Sequence, residues 1–182
     1  MTEQLPQFGF GQPAGALIQY AYTVADIHAA MATWTATLGI GPWFVRGPFT
    51  PAAAEYRGRP TTPTLTLARA FSGHAMVELV HQSCRTPSVY REIIEQRGHG
   101  FHHWGVGVHD IDAEVARHAA LGHEVAFADT LPSGARIRYV DTSAAVPGFV
   151  ELIEMTPDQD TTYTRIHRAA MGWDGTDPVR SG

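Results

Sequence analysis

Gln19-Tyr20-Ala21-Tyr22-Thr23-Val24-Ala25-Asp26-Ile27 lies over His103-Trp104-Gly105-Val106-Gly107-Val108-His109-Asp110-Ile111 when the chain is slid over itself by 84 residues. Each copy is a period-two segment ending in Val-x-Asp-Ile. An Ala-rich run follows, residues 29–37 or 113–120, and stops at Leu38-Gly39 or Leu121-Gly122. Period two puts successive side chains on opposite faces of a strand, and an Ala-rich run closed by Gly reads as a helix, with Asp26 and Asp110 as N-caps. The second halves match too: Met76-Val77-Glu78-Leu79-Val80 resembles Phe149-Val150-Glu151-Leu152-Ile153, here at an offset of 73. The first copy therefore carries about eleven extra residues, assigned to the Pro-, Ala- and Gly-rich stretch 47–63.

Between each Leu-Gly and its Val-Glu-Leu there is room for three short strands, at 43–46, 64–71 and 75–81 and again at 124–128, 135–141 and 148–155. Each copy is thus a βαβββ module, and the chain falls in the α+β class. The expected organisation is an N-terminal extension (1–15), a first module (16–82) and a connecting segment (83–100) with a helix over 87–97. A second module (101–156) and a C-terminal helix and tail (157–182), the helix over 161–171, complete it.

The 182 residues are 44% hydrophobic and 17% charged, enough to bury a core. No apolar run, 75–80 and 146–153 included, reaches the ~18 residues of a membrane span, so no membrane partner is expected. The start Met1-Thr2-Glu3-Gln4-Leu5-Pro6 lacks the pattern of a secretory signal, and the expected location is the cytoplasm. A net charge of −5 with scattered basic residues argues against a nucleic-acid partner. All 13 basic residues are Arg, which excludes Schiff-base and pyridoxal phosphate chemistry, both of which need a lysine amine. No Gly-rich stretch has the spacing of a phosphate-binding loop. The lone cysteine, Cys84, permits no internal disulfide.

Strand alternation sets Gln19, Ala21 and Thr23 on one face of the first copy and His103, Gly105 and Gly107 on the matching face of the second. One polar donor beside very small residues leaves space for something other than a side chain. Glu78 and Glu151 sit at equivalent positions among apolar neighbours with no Arg or Lys adjoining them, and an unpaired buried carboxylate costs several kcal/mol. Each alone reads equally well as a solvated residue on a sheet edge; the recurrence weighs against that. Together the four offer oxygen, oxygen, nitrogen and oxygen donors, a set suited to a divalent metal with open coordination positions.

The duplicated module, the pair Gln19 and His103, the paired Val-Glu-Leu strands and the segment Gly98-His99-Gly100-Phe101-His102-His103-Trp104 resemble the vicinal oxygen chelate superfamily. The resemblance runs over roughly residues 16 to 156 and is strongest to the glyoxalase and methylmalonyl-CoA epimerase branch. It implies two modules closed side by side into a cupped, barrel-like mixed sheet, with Gln19, Glu78, His103 and Glu151 as metal ligands. His103 rather than His102 falls in the Gln19 register, which turns His102 toward the helix-covered face as a satisfied core histidine. The implied cofactor is a divalent ion (Zn, Ni, Co, Mn or Mg, with Zn favoured), and the implied partner is a small molecule that chelates it through oxygen. Lewis-acid chemistry follows, with Glu151 or Glu78 as base.

One departure matters. Thr62 stands where epimerase-like members carry a second catalytic Glu, and Glu55, in the extra loop, is the available substitute. Arg57 and Arg59 are candidates for an anionic part of the substrate, and Trp43 and Tyr56 for an apolar part. The expected activity is that of an isomerase, epimerase or lyase, and the expected assembly a homodimer. Two alternatives remain. An extradiol ring-cleaving dioxygenase would need two His and one carboxylate on Fe(II) or Mn(II), and Gln19 stands at the first His. A metal-free protein that sequesters a small molecule typically loses the ligand set kept here.

Overall fold

Both aspartates start their helices. In the computed structural model, which describes residues 7–182, the Asp26 carboxylate accepts from the amides of His28 and Ala29, and that of Asp110 from Ala113. The first six positions of the expected N-terminal extension lie outside the described residues. From these caps run α1 (Ile27–Leu38) and α3 (Ile111–Ala120), each preceded by its strand, β1 (Leu17–Thr23) or β7 (Gly100–Val108). Gly39, at φ 67, closes α1 in the left-handed conformation that Gly adopts at least cost.

Three further strands complete each module: β2 (Trp43–Phe49), β5 (Leu65–Ser72) and β6 (Ala75–Gln82) in the first, β8 (Val125–Thr130), β9 (Arg136–Asp141) and β10 (Phe149–Glu154) in the second. One mixed sheet holds them in the order β2-β5-β6-β1-β7-β10-β9-β8, so the two halves have the same pairing and meet along the antiparallel pair β1/β7. Within each half the first strand lies parallel to the last, Ala21 opposite Glu78 and Gly105 opposite Glu151. The two sequence offsets are thus one repeated strand register. Helix α1 covers Trp43, Ala68, Ala70, Val77 and Leu79 on the outer face of the first half, and α3 covers Val140 and Leu152 on the second. The inner faces share a larger aromatic core that includes Tyr90, Phe127, Tyr139, Phe149 and Tyr163.

Strict alternation breaks at several register shifts, in β1/β7, β2/β5 and β8/β9, and one of them moves a histidine. Ala21 pairs with His103 and Tyr22 with Phe101, so His102 is an extra residue, a β-bulge that turns it to the inner side with His103. Contrary to expectation, His102 packs on Tyr90 and Phe149 of the inner core. The small residues of β7 also leave less space than expected. A Cβ at Gly105 would lie 2.6 Å from Gln19 Cβ, and one at Gly107 2.8 Å from Phe8 Cε2, so the chain's own side chains fill both positions. Gly105→Ala should therefore lower stability by ~1–3 kcal/mol through overpacking. A shift of the denaturation midpoint measures it, and an unchanged midpoint would show that β1 and β7 part freely.

The extra stretch is not a bare loop. It forms the hairpin β3 (Glu55–Tyr56) and β4 (Arg59–Pro60), turned by Arg57 and Gly58 at φ 47 and 73, and β3 pairs with β8 at the far end of the sheet. Helix α2 (Val89–Arg97), capped by Ser88, connects the halves. The last helix, α4 (Pro157–Ala170), begins four residues before the expected start because the Thr156 hydroxyl caps it and Pro157 opens it. It lies across β5 and inserts Tyr163 and Ile166 into the inner core, and β11 (Val179–Ser181) then extends the sheet beside β2. Among the described residues no helix is long and apolar enough to cross a membrane.

Candidate metal centre

Gln19 on β1, Glu78 on β6, His103 on β7 and Glu151 on β10 come from the four central strands and are all buried. Gln19 Nε2 donates to Glu78 Oε2 at 3.1 Å and to Glu151 Oε2 at 3.0 Å, and lies 3.0 Å from His103 Nε2. His103 Nε2 is 3.1 Å from Glu151 Oε2 and 3.6 Å from Glu78 Oε2. The side-chain tips of the four meet at one point.

The protons of this group can be placed by elimination. Burial pushes the His102 imidazole well below its ordinary value, so the ring is neutral and carries one N–H. Its Nε2 lies 3.1 Å from the Val89 carbonyl oxygen, which can only accept. His102 Nδ1 is therefore the bare nitrogen, and His103 Nδ1, 2.8 Å away, donates to it. This leaves His103 Nε2 as the ring nitrogen directed at the two carboxylates, the atom a metal ligand would offer, with Nδ1 held by His102.

This arrangement suits a divalent cation. Three acceptor atoms face one amide that has two hydrogens, while Gln19 Oε1 is buried with no hydrogen-bond partner. Turning the amide over would add Oε1 to the acceptors, which is repulsive around nothing and favourable around a cation. The adjoining inner cavity, about 20 Å³, is lined by Glu78 and Glu151 and has room for little more than an ion or a water.

Glu78 has a partner that its sequence neighbours do not reveal. Arg69 lies directly opposite it in the β5/β6 hairpin and donates through Nε to Glu78 Oε1 at 2.7 Å. Burial is the largest single effect on the Arg69 guanidinium and weakens it, but the charge of Glu78, its hydrogen bond and the other negative groups nearby together outweigh that and raise its pKa overall. Counting the hairpin outward from Gly73 finds the pair. Asp129 on β8 was also missed: it lines the inner cavity, its Oδ1 has no partner among the described residues, and burial raises its pKa. Tyr90 and Tyr139 share a hydrogen bond of 2.8 Å, and burial, then the nearby Glu78 and Glu151 charges, keep them neutral.

Residues 18–140, well over half of the chain, match the family described as the Glyoxalase/Bleomycin resistance protein/Dioxygenase superfamily. The chain belongs to this superfamily, the vicinal oxygen chelate proteins. Its fold agrees. Methylmalonyl-CoA epimerase from Mycobacterium tuberculosis superposes with a TM-score of 0.54 at 21% identity, over 80% of this chain and 91% of that one. Hypothetical protein BH1468 from Bacillus halodurans C-125 gives 0.57 at 18% identity, over 78% and 94%. A Streptomyces coelicolor methylmalonyl-CoA epimerase variant in complex with 2-nitronate-propionyl-CoA gives 0.51 at 18%, over 77% and 94%. No curated protein sequence matches the chain.

The other residues singled out in this vicinal oxygen chelate protein lie elsewhere. Trp43 is fully buried on the outer face beneath α1 and donates to Thr35 Oγ1, so it contacts no inner cavity. Glu55 and Thr62 are exposed, and Glu55, on the far edge hairpin, is not gathered with the four. Arg57 is committed to Glu92 and Asp141, at 2.7 and 2.8 Å, and Tyr56 donates to Glu92. These bonds fasten the hairpin to α2 and β9. Arg57, Arg59 and Tyr56 line a separate surface cleft with Thr62 and Pro87.

Proposed function

We propose that the chain is a divalent-metal-dependent enzyme that moves a proton at the carbon beside an oxygen of a small organic substrate, an isomerase, epimerase or lyase. The convergence of Gln19, Glu78, His103 and Glu151 around one unpartnered amide oxygen carries this reading. Those four residues would hold the ion, zinc being favoured. When bound, it supplies a Lewis acid that stabilises negative charge growing on a substrate oxygen as the neighbouring C–H loses its proton.

The chain's own groups divide the remaining work. Glu78 has Oε1 tied to Arg69, whereas Glu151 has no arginine partner among the described residues, so Glu151 is the freer proton acceptor. Asp129, raised by burial on the same inner cavity, is placed to return a proton, as a reaction with two proton transfers requires. Tyr163 and the aromatic walls exclude bulk water. The methylmalonyl-CoA epimerases of the same fold, one in complex with 2-nitronate-propionyl-CoA, support the reaction class.

Zinc titration of apo protein purified without a metal-affinity tag tests the reading. It predicts one site per chain, and no binding would reject it. A metal-free binding protein is the second reading, because Gln19 Nε2 already meets the acceptors; the same titration separates the two. His102→Phe should keep the stack on Tyr90 but remove the acceptor for His103 Nδ1, weakening zinc affinity about 10–100-fold. Unchanged affinity in that variant would refute the orienting role of His102.

A further inference from the structure

Three arginines converge on a second cavity beside the metal group. Arg46 on β2 and Arg69 on β5 lie on its floor and Arg165 reaches it from α4, with Phe44, Leu131 and Thr162 among the walls of a space of about 260 Å³. Each guanidinium is set over an aromatic ring. Arg46 Cζ is 4.2 Å from the centroid of Phe49, Arg165 Cζ 5.0 Å from that of Phe44, and Arg69 Cζ 5.7 Å from that of Tyr163. Contact with a ring face orients the planar fork while leaving N–H edges to meet an oxyanion.

Those edges are largely unspent. Among the described residues the arginines that form ion pairs are Arg57, Arg69, Arg117 and Arg136; Arg46 and Arg165 form none, and Arg69 uses only Nε. Burial, then the like charge of Arg69, push the Arg46 guanidinium below its ordinary value, and the charge of Asp129 opposes this less strongly. Glu78 offsets Arg69 and the Gly182 carboxylate also lines the hollow, yet three guanidiniums still leave a positive surplus in a partly apolar space, which is unfavourable until an anion enters it. The hollow adjoins the metal group: both cavities share Leu67, Arg69 and Leu131, and Arg69 bonds to Glu78.

We propose that this cavity is the acid-binding subsite of the substrate, where Arg46, Arg69 and Arg165 take the carboxylate or phosphate ester of a small organic anion. The orientation of that anion, with a second oxygen toward Glu78 and Glu151, rests on the metal-dependent reading above; capture of the acid group does not. Arg57 and Arg59, the arginines the sequence suggested for this purpose, sit in the other cleft.

Calorimetric titration of the metal-free full chain with malonate, with inorganic phosphate and with uncharged dimethyl malonate tests the subsite, zinc being titrated separately. Saturable binding of an anion but not of the diester is expected, weakened roughly tenfold or more by Arg165→Gln and by Arg46→Gln, with zinc affinity unchanged in both. Arg165 is exposed, so its replacement leaves the core intact. Tighter malonate binding assigns a carboxylate, and tighter phosphate binding a phosphate ester. Absent anion binding, or binding unaffected by both variants, overturns the subsite even if zinc binds. Failure of zinc to bind while arginine-dependent anion binding persists rejects the metal reading and keeps the subsite.

Discussion

His103→Ala should reduce zinc affinity by about 10³-fold. A four-ligand zinc site supplies ~10–16 kcal/mol, so each ligand accounts for ~2.5–4 kcal/mol on average, and the loss expected here is the upper end of that range. His103 is the one nitrogen donor, and its Nε2 lies within 3.6 Å of both carboxylates. Competition against a chelator of known affinity measures the loss, and near-UV circular dichroism establishes that the fold survives. An affinity within threefold of the unaltered protein would remove His103 from the ligand set.

Glu151→Gln keeps the size and one oxygen donor of the side chain but removes its ability to take a proton. Turnover of any substrate the unaltered protein accepts should fall roughly 10²-fold or more, together with exchange of the substrate proton for solvent deuterium. Glu78→Gln should fail differently. It strips Arg69 of its carboxylate partner, and because that arginine keeps some contact with solvent, the loss of stability should be about 1–3 kcal/mol. Undiminished turnover in Glu151→Gln would pass the role of base to Glu78 or Asp129.

The repeat was legible because duplication preserves register. Gln19 and His103 stand two residues before Ala21 and Gly105, the residues that pair with Glu78 and Glu151, so matching the sequence also matched the strands. Residues whose direction depends on an irregularity were not legible. The bulge at His102 breaks the period-two argument, and only the hydrogen bond from His103 shows what the extra residue does. Trp43 and Phe44 are adjacent aromatic residues on opposite faces of β2, and nothing local says which face meets the inner core. Arg57 looked free because its partners, Glu92 and Asp141, are 35 and 84 residues away. The path of α4 over the cup, which brings Tyr163 and Arg165 to the inner cavities, is a tertiary feature with no signal in its own segment.

Anomalous diffraction at the zinc edge, from zinc-loaded crystals of protein purified without a metal-affinity tag, tests the central claim most directly. One strong peak per chain is predicted, bonded to Gln19 Oε1, Glu78, His103 Nε2 and Glu151 at about 2.0–2.2 Å, with the Gln19 amide turned over. No peak among these residues, with Gln19 Nε2 still 3.0 Å from Glu151 Oε2, would contradict it.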